Sequence, residues 1–256
     1  MRIAVKIGTS TLTHKTGQLN IRQVENLCRI LSDLKNAGHE IIMISSGAIG
    51  MGVGKLGLKS RPTDIPGKQA AAAVGQCELM DTYDRLFSVY HHTVAQILLT
   101  AADVENEERH ANFRNTIFRL LELGALPIIN ENDTVATEEL GIGDNDTLGA
   151  IVAVSTDADL LVLLSDIDGL YTADPRRDPT AKRIETVEKL DEKILSLGEG
   201  VGSALGTGGM KTKLRAAQIV TGNGIDMIIA DGSEPALLYD IVEGKPVGTR
   251  FLGKKK

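Results

Sequence analysis

The stretch DLLVLLSDIDG, residues 159–169, changes character at a single point. Five apolar residues, 160–164, run without interruption into Ser165, Asp166 and Asp168, and a glycine closes the segment. A strand with one face in water alternates polar and apolar positions, whereas an unbroken apolar run is covered on both faces, as in parallel sheets. Open parallel sheets bind ligands at the carboxyl ends of their strands, so the polar end of this stretch falls where chemistry is expected.

The same pattern extends in both directions along the chain. Short apolar or β-branched runs predict strands at RIAVKI, EIIMIS, TVAQILL, ALPIIN, DMIIA and VGTRF. Between them, longer amphipathic stretches predict helices over 21–37, 67–87, 105–123, from GDNDTLGAIVAVST, and from TGGMKTK onward. Alternating βα units of this kind imply an α/β protein, a three-layer αβα sandwich around a mostly parallel central sheet. The polar segments KIGTS, SSGAIG, NENDT and SDIDG each follow a predicted strand, which would gather residues more than a hundred positions apart on one rim. A soft boundary near residue 157 suggests two lobes, 1–157 and 158–256, that share the sheet within one domain.

Composition narrows the function classes. The 256 residues carry a net charge of -6, with 42% hydrophobic and 24% charged residues, the balance of an ordinary globular domain. An acidic chain without Trp and with 3% aromatics lacks both the basic footprint and the stacking platforms of nucleic-acid binders. No apolar run reaches the length of a membrane span and no signal peptide is visible, so a cytoplasmic location is expected. Cys28 and Cys77 have no metal-binding spacing and are predicted to be buried in a reducing compartment. His14, His39, His91, His92 and His110 likewise show no ligand spacing and are given no metal or base role. The terminal LGKKK reads as a solvated tail.

Two lysines stand out. Lys6 lies among the last residues of the first strand, and Gly8, Thr9 and Ser10 follow immediately after that strand; a lysine beside backbone N–H groups freed by a glycine turn can hold a transferring phosphate. Lys213 lies one turn inside the helix opened by GTGGMKTK, where a cation opposes the helix dipole and so suggests an anion in front of it. GVGKLG, residues 52–57, matches a dinucleotide fingerprint by its letters but lies too far beyond its strand, and no Walker loop occurs. The N–H groups around Ser46, Gly47 and Ala48 are better placed to meet a carboxylate or phosphate. Carboxylates can orient lysines, bind a substrate ammonium or hold Mg²⁺ through water. Asp146 is therefore expected to reach both lysines, which leaves Asp133, Asp144 and Asn145 for a polar, amine-bearing substrate. The glycine-rich stretches 47–57 and 198–209 are candidates for mobile covers.

The segments VKIGTSTLT, SSGAIGMG, INENDTV, GDNDTLGA, SDIDGLYTADPR and GTGGMKTK occur in the order and spacing of glutamate 5-kinases, and the chain resembles that family, within the amino-acid kinases, from residue 2 to about 251. The resemblance implies the amino-acid kinase fold and transfer of the ATP γ-phosphate to the side-chain carboxylate of L-glutamate, the first step of proline synthesis. By motif, Lys6 and Lys213 would stabilise the transferring group and Asp146 would organise them; Ser46, Gly47, Asp133, Asp144 and Asn145 would form the glutamate side within 1–157. Lys6, Gly8, Thr9, Ser165, Asp166, Thr207, Gly208, Gly209, Met210, Lys211, Thr212 and Lys213 would contact ATP, mostly within 158–256, with Mg²⁺ accompanying the nucleotide. The resemblance also implies proline as a feedback inhibitor and a homodimer or tetramer. Many members continue into a C-terminal module resembling RNA-modifying enzymes, the PUA domain, which this chain is expected to lack. Another acid or phosphate acceptor, such as acetylglutamate, carbamate, aspartate or a nucleoside monophosphate, is the alternative within the kinases; a catalytically silent amino-acid sensor is the alternative outside them.

Overall fold

The computed structural model describes residues 1–14, 18–136, 144–175, 177–198 and 209–254. The chain lays down β1 (Arg2–Ile7), α1 (Thr9–Leu12), α2 (Ile21–Asn36), β2 (Glu40–Ile44), α3 (Ala48–Lys55), α4 (Ile65–Ser88), β3 (Val94–Leu99), α5 (Ala101–Glu105), α6 (Glu107–Glu122), β4 (Leu126–Glu131) and α7 (Asn145–Ser155). It continues with β5 (Leu160–Ser165), β6 (Leu170–Tyr171), β7 (Arg183–Ile184), β8 (Thr186–Val187), α8 (Glu192–Ser196), α9 (Met210–Gly222), β9 (Asp226–Asp231), α10 (Leu237–Val242) and β10 (Thr249–Phe251). The apolar run at 160–164 is β5, and every residue of that strand is buried.

Strands join in the order β3-β4-β2-β1-β5-β9-β10-β8, all parallel except at the β9 and β10 pair. β6 and β7 form a separate antiparallel ribbon. The sheet crosses residue 157 without a break, because β1 pairs with β2 on one side and with β5 on the other. Successive side chains of a strand point to opposite faces. Ile3, Val5 and Ile7 of β1 accordingly pack with α2, α3, α4 and α10, while Ala4 packs with α6, α7 and α9. These are the two outer layers of the predicted sandwich.

Lys6 shares the face of Ala4, beneath α7. Gly149 of that helix lies against its stem: a Cβ there would stand in ordinary contact, 3.4 Å from Lys6 Cβ and 3.6 Å from Lys6 Cγ. On the opposite face α3 and α4 touch through backbone. A Cβ at Gly75 would collide with the Ala48 carbonyl, and one at Gly52 with the Ala71 carbonyl. Residues 47–57, expected as a mobile cover, are therefore mostly a helix pressed onto its neighbour; these glycines serve close approach rather than looseness. Cys28 is buried, with its thiol pushed up to about 12 by burial and then by the charge of Glu25. Cys77 corrects the sequence expectation, for it is exposed: the helical turn that carries Gly75 and Gln76 inward brings the next side chain to the surface.

Gly75→Ala is expected to cost about 1–3 kcal/mol of stability by forcing α3 and α4 apart, measured as a lower urea midpoint with an unchanged slope.

Candidate active site

Three charged side chains from distant parts of the chain meet at the carboxyl end of the sheet. Lys6 Nζ stands 2.6 Å from Asp146 Oδ1, a close ion pair without hydrogen-bond alignment, and Lys213 Nζ donates to Asp146 Oδ2 at 3.1 Å. Thr212 Oγ1 also donates to Oδ2, at 2.8 Å. Lys6, Lys213 and Asp146 are 8%, 4% and 1% exposed, so the cluster holds two cations and one anion almost out of water. Burial by itself would push the Asp146 carboxyl up; the charges of Lys6 and Lys213, with their contacts and that of Thr212, outweigh it and hold the group down at about 2. A buried excess of one positive charge is relieved by an anionic guest.

Local sequence fixes each member. Asp144 is the N-cap of α7, accepting from Thr147 N–H at 2.8 Å and from Thr147 Oγ1 at 2.8 Å. That cap sets the first turn, in which Asp146 also sits favourably at the positive end of the helix dipole. Lys213 occupies the first turn of α9, the wrong end for a cation; its partner Asp146 compensates. Gly209 precedes α9 as its N-cap without a capping side chain.

Beside this cluster lies an amide network. Asn145 Nδ2 donates to the Ser45 carbonyl at 2.7 Å, to Ser46 Oγ at 2.9 Å and to Asn130 Oδ1 at 3.1 Å. Gly47 adopts φ 89°, a left-handed turn that only glycine takes cheaply, and opens α3. On the other side of β1, Ser165 Oγ donates to Asp166 Oδ1 at 3.0 Å at the end of β5. Gly8 N–H, expected to be free for phosphate, instead donates to the Leu164 carbonyl at 3.1 Å, because the parallel pairing of β1 with β5 continues one residue past the strand.

The amino acid kinase family pattern matches residues 1–231. The chain belongs to the amino acid kinase family. Among its relatives, a glutamate 5-kinase of Clostridium perfringens (strain 13) is 50% identical over 258 residues, covering 99% of this chain and 96% of that one. Glutamate 5-kinase of Clostridium tetani is 53% identical over 97% of this chain and 93% of that protein. Glutamate 5-kinase of Carboxydothermus hydrogenoformans is 51% identical over 100% of this chain and 68% of its own length. In three dimensions the chain resembles a UMP kinase of Bacillus anthracis, with TM-score 0.67 at 15% identity over 99% of this chain and 96% of that one. It also resembles a carbamate kinase of Giardia lamblia, with TM-score 0.67 at 18% identity over 99% of this chain and 98% of that one. The two structural likenesses speak for the amino acid kinase fold.

In this kinase the residues named from sequence fall into three groups. Lys6, Asp146 and Lys213 are in direct contact, joined by Thr212, which was expected at the nucleotide and also restrains Asp146. Ser46 and Asn145 are bonded to each other, with Gly47 and Asp144 adjacent in the chain. Thr9 opens α1 after Gly8, while Ser165, Asp166, Gly209, Met210 and Lys211 lie at strand or helix ends. Thr207 and Gly208, and nearly all of the cover expected at 198–209, lie outside the described residues. Asp133 sits in the turn after β4; burial first, and then the charge of Glu131, raise its carboxyl to about 6 against the opposing charge of Arg61. Asn130 and Gln76 belong to the amide network and were not singled out in the sequence. Asn130 carried the same signal as its neighbours, a polar residue at a strand end; Gln76 offered only a polar letter on the apolar side of a helix. Among the described residues no three acidic, histidine or cysteine side chains could together hold a metal ion, and no helix is long and apolar enough to cross a membrane.

Asp146 is depressed, so its contribution to stability is present above the ordinary carboxylate value of 3.8 and is lost as pH falls through about 2. Asp146→Asn strands two buried cations. Urea unfolding at neutral pH should show a loss of about 3–5 kcal/mol, shrinking toward zero at the acid end of that window.

Proposed function

We propose that this protein transfers the γ-phosphoryl group of ATP to the side-chain carboxylate of L-glutamate, giving L-glutamyl 5-phosphate, the first step of proline synthesis. The observation that carries the mechanism is the contact of Lys6 and Lys213, 207 residues apart, with one buried carboxylate. A carboxylate acceptor is ionised at neutral pH and attacks phosphorus without a general base, in keeping with a site built from lysines rather than histidine. The difficulty is repulsion between two anions. Lys6 and Lys213 offset it, and Asp146 holds their ammonium groups in place before the substrates arrive. Thr212, by sharing Asp146 Oδ2, keeps the carboxylate from rotating.

In this reading residues 1–157 hold glutamate, through Ser46, Gly47, Asp133, Asn145 and the capping Asp144. Residues 158–256, with Lys6 and Thr9, hold ATP through Ser165, Asp166 and the segment 207–213. Mg²⁺ would be carried on the nucleotide phosphates and water, as it commonly is, and would supply further neutralisation of their charge. The resemblance extends the proposal to a cytoplasmic location, feedback inhibition by proline and assembly as a dimer or tetramer. Titrating proline into the assay and sizing the protein in solution check the last two.

Lys213→Ala, assayed at saturating ATP and glutamate, should lower turnover by about 10²–10³-fold with much smaller changes in either KM. Unchanged turnover would remove Lys213 from the mechanism. A panel of acetylglutamate, carbamate, aspartate, UMP and glutamate, scored by ADP release, should give activity with glutamate above all others.

Asp133 supplies a second check. Its raised pKa means the protonated form is favoured in the folded protein: the stabilisation is full below 3.8 and is lost as pH rises through about 6. At neutral pH the ionised carboxylate is available to a substrate ammonium. The KM for glutamate should therefore climb as pH falls below about 6, by up to about tenfold per unit, and Asp133→Asn should flatten that limb.

A further inference from the structure

Gln76 is 8% exposed on α4, and nothing in the reaction above uses it. A buried amide is unfavourable unless its hydrogen bonds are met. Gln76 Oε1 accepts from Asn130 Nδ2 at 2.9 Å. Asn130 is itself 1% exposed, and its Oδ1 accepts from the Glu131 backbone N–H at 2.9 Å and from Asn145 Nδ2 at 3.1 Å. The Glu131 N–H decides which end of the Asn130 amide is which, since a donor there faces only an oxygen. Asn130 Nδ2 then requires an acceptor, and Gln76 provides it.

The chain of amides ends at the proposed glutamate pocket. Asn145 Nδ2 has three acceptors for its two hydrogens, at the Ser45 carbonyl, Ser46 Oγ and Asn130 Oδ1. Its donors are therefore fully engaged within the protein, which leaves the carbonyl Oδ1 to meet a ligand. An acceptor in that position suits an ammonium group and gives nothing to a substrate whose amine is missing.

We propose that Gln76 is a positioning residue for recognition of the acceptor's amino group: by holding Asn130, it holds the Asn145 amide with its oxygen toward the substrate. This rests on the glutamate reading. Without Gln76, the Asn130 Nδ2 donor is buried and unmet, the Asn130 side chain turns away to satisfy it, and Asn145 loses one of the contacts that fix its amide.

The test compares the unmodified enzyme with Gln76→Met, which keeps the volume and removes the acceptor, and Gln76→Glu, which keeps an acceptor oxygen. Each is assayed with glutamate and with glutarate, the same dicarboxylate without the amine, and ATP KM is measured alongside. Gln76→Met should raise the glutamate KM about tenfold and narrow the glutamate-to-glutarate ratio of kcat/KM by a similar factor, with ATP KM unchanged. Gln76→Glu should recover most of both losses. If Gln76→Met does not fold, Gln76→Asn, one methylene too short to reach Asn130, carries the same expectation. An unchanged ratio in a variant, against an unmodified enzyme that discriminates, overturns the proposal alone, as do glutamate and ATP KM values that rise together or a Gln76→Glu that behaves like Gln76→Met. An unmodified enzyme that turns over glutarate as well as glutamate overturns the proposal while the glutamate reading stands; one that turns over neither overturns both.

Discussion

Everything at the rim depends on one electrostatic imbalance: a single buried carboxylate, Asp146, serves two buried ammonium groups. Neither lysine could stay there unpaired, because an isolated buried charge is strongly unfavourable. Yet the pairing is incomplete, and the remaining positive charge suits an anionic group. Several local features have meaning only in relation to this point. The Asp144 cap aims the first turn of α7. Gly149 in that helix rests against the Lys6 stem. The uncapped start of α9 brings Lys213 and Thr212 to the same two oxygens.

The opposite layer is organised by contact between backbones. Gly52 and Gly75 bring α3 and α4 so close that α4 can deliver the buried Gln76 and Tyr83 to the ends of β2 and β4. Tyr83 Oη lies 3.0 Å from Ser45 Oγ, and burial pushes its phenol well above the ordinary value. A helix pair that looks purely architectural thus supports the polar groups at the strand ends, and packing on one face of the sheet is coupled to the amide network at its edge.

The main architecture was legible in the sequence because it rests on periodicity. Unbroken apolar runs such as residues 160–164 mark strands buried on both faces, and the glycine, serine and acidic segments after them mark the rim. The convergence of Lys6, Lys213 and Asp146 followed from that rule together with the resemblance. What escaped were features set by neighbours in space. Nothing in a glycine-rich letter string distinguishes a loose loop from a helix seated on another helix, so residues 47–57 read as a cover. Periodicity alone did not fix which of Gln76 and Cys77 turns inward. The bond from Gly8 to Leu164 depends on strand register, which one sequence does not reveal. The short strands β6, β7 and β8 lie in a polar stretch without a repeating pattern, and their pairing partners are distant or only two residues long.

β1 has neighbours on both sides, β2 toward the amide network and β5 toward Ser165 and Asp166. Neighbouring strands are spaced at about 4.8 Å by their hydrogen bonds, a distance that hardly yields. Under the proposed reading the sheet would act as a gauge for acceptor length. An acid anchored by its amine on the amide side would reach the phosphoryl group only if its carbon skeleton spanned that fixed interval; one methylene fewer would leave the attacking oxygen roughly 1 Å short, a displacement that can cost on the order of a hundredfold in rate.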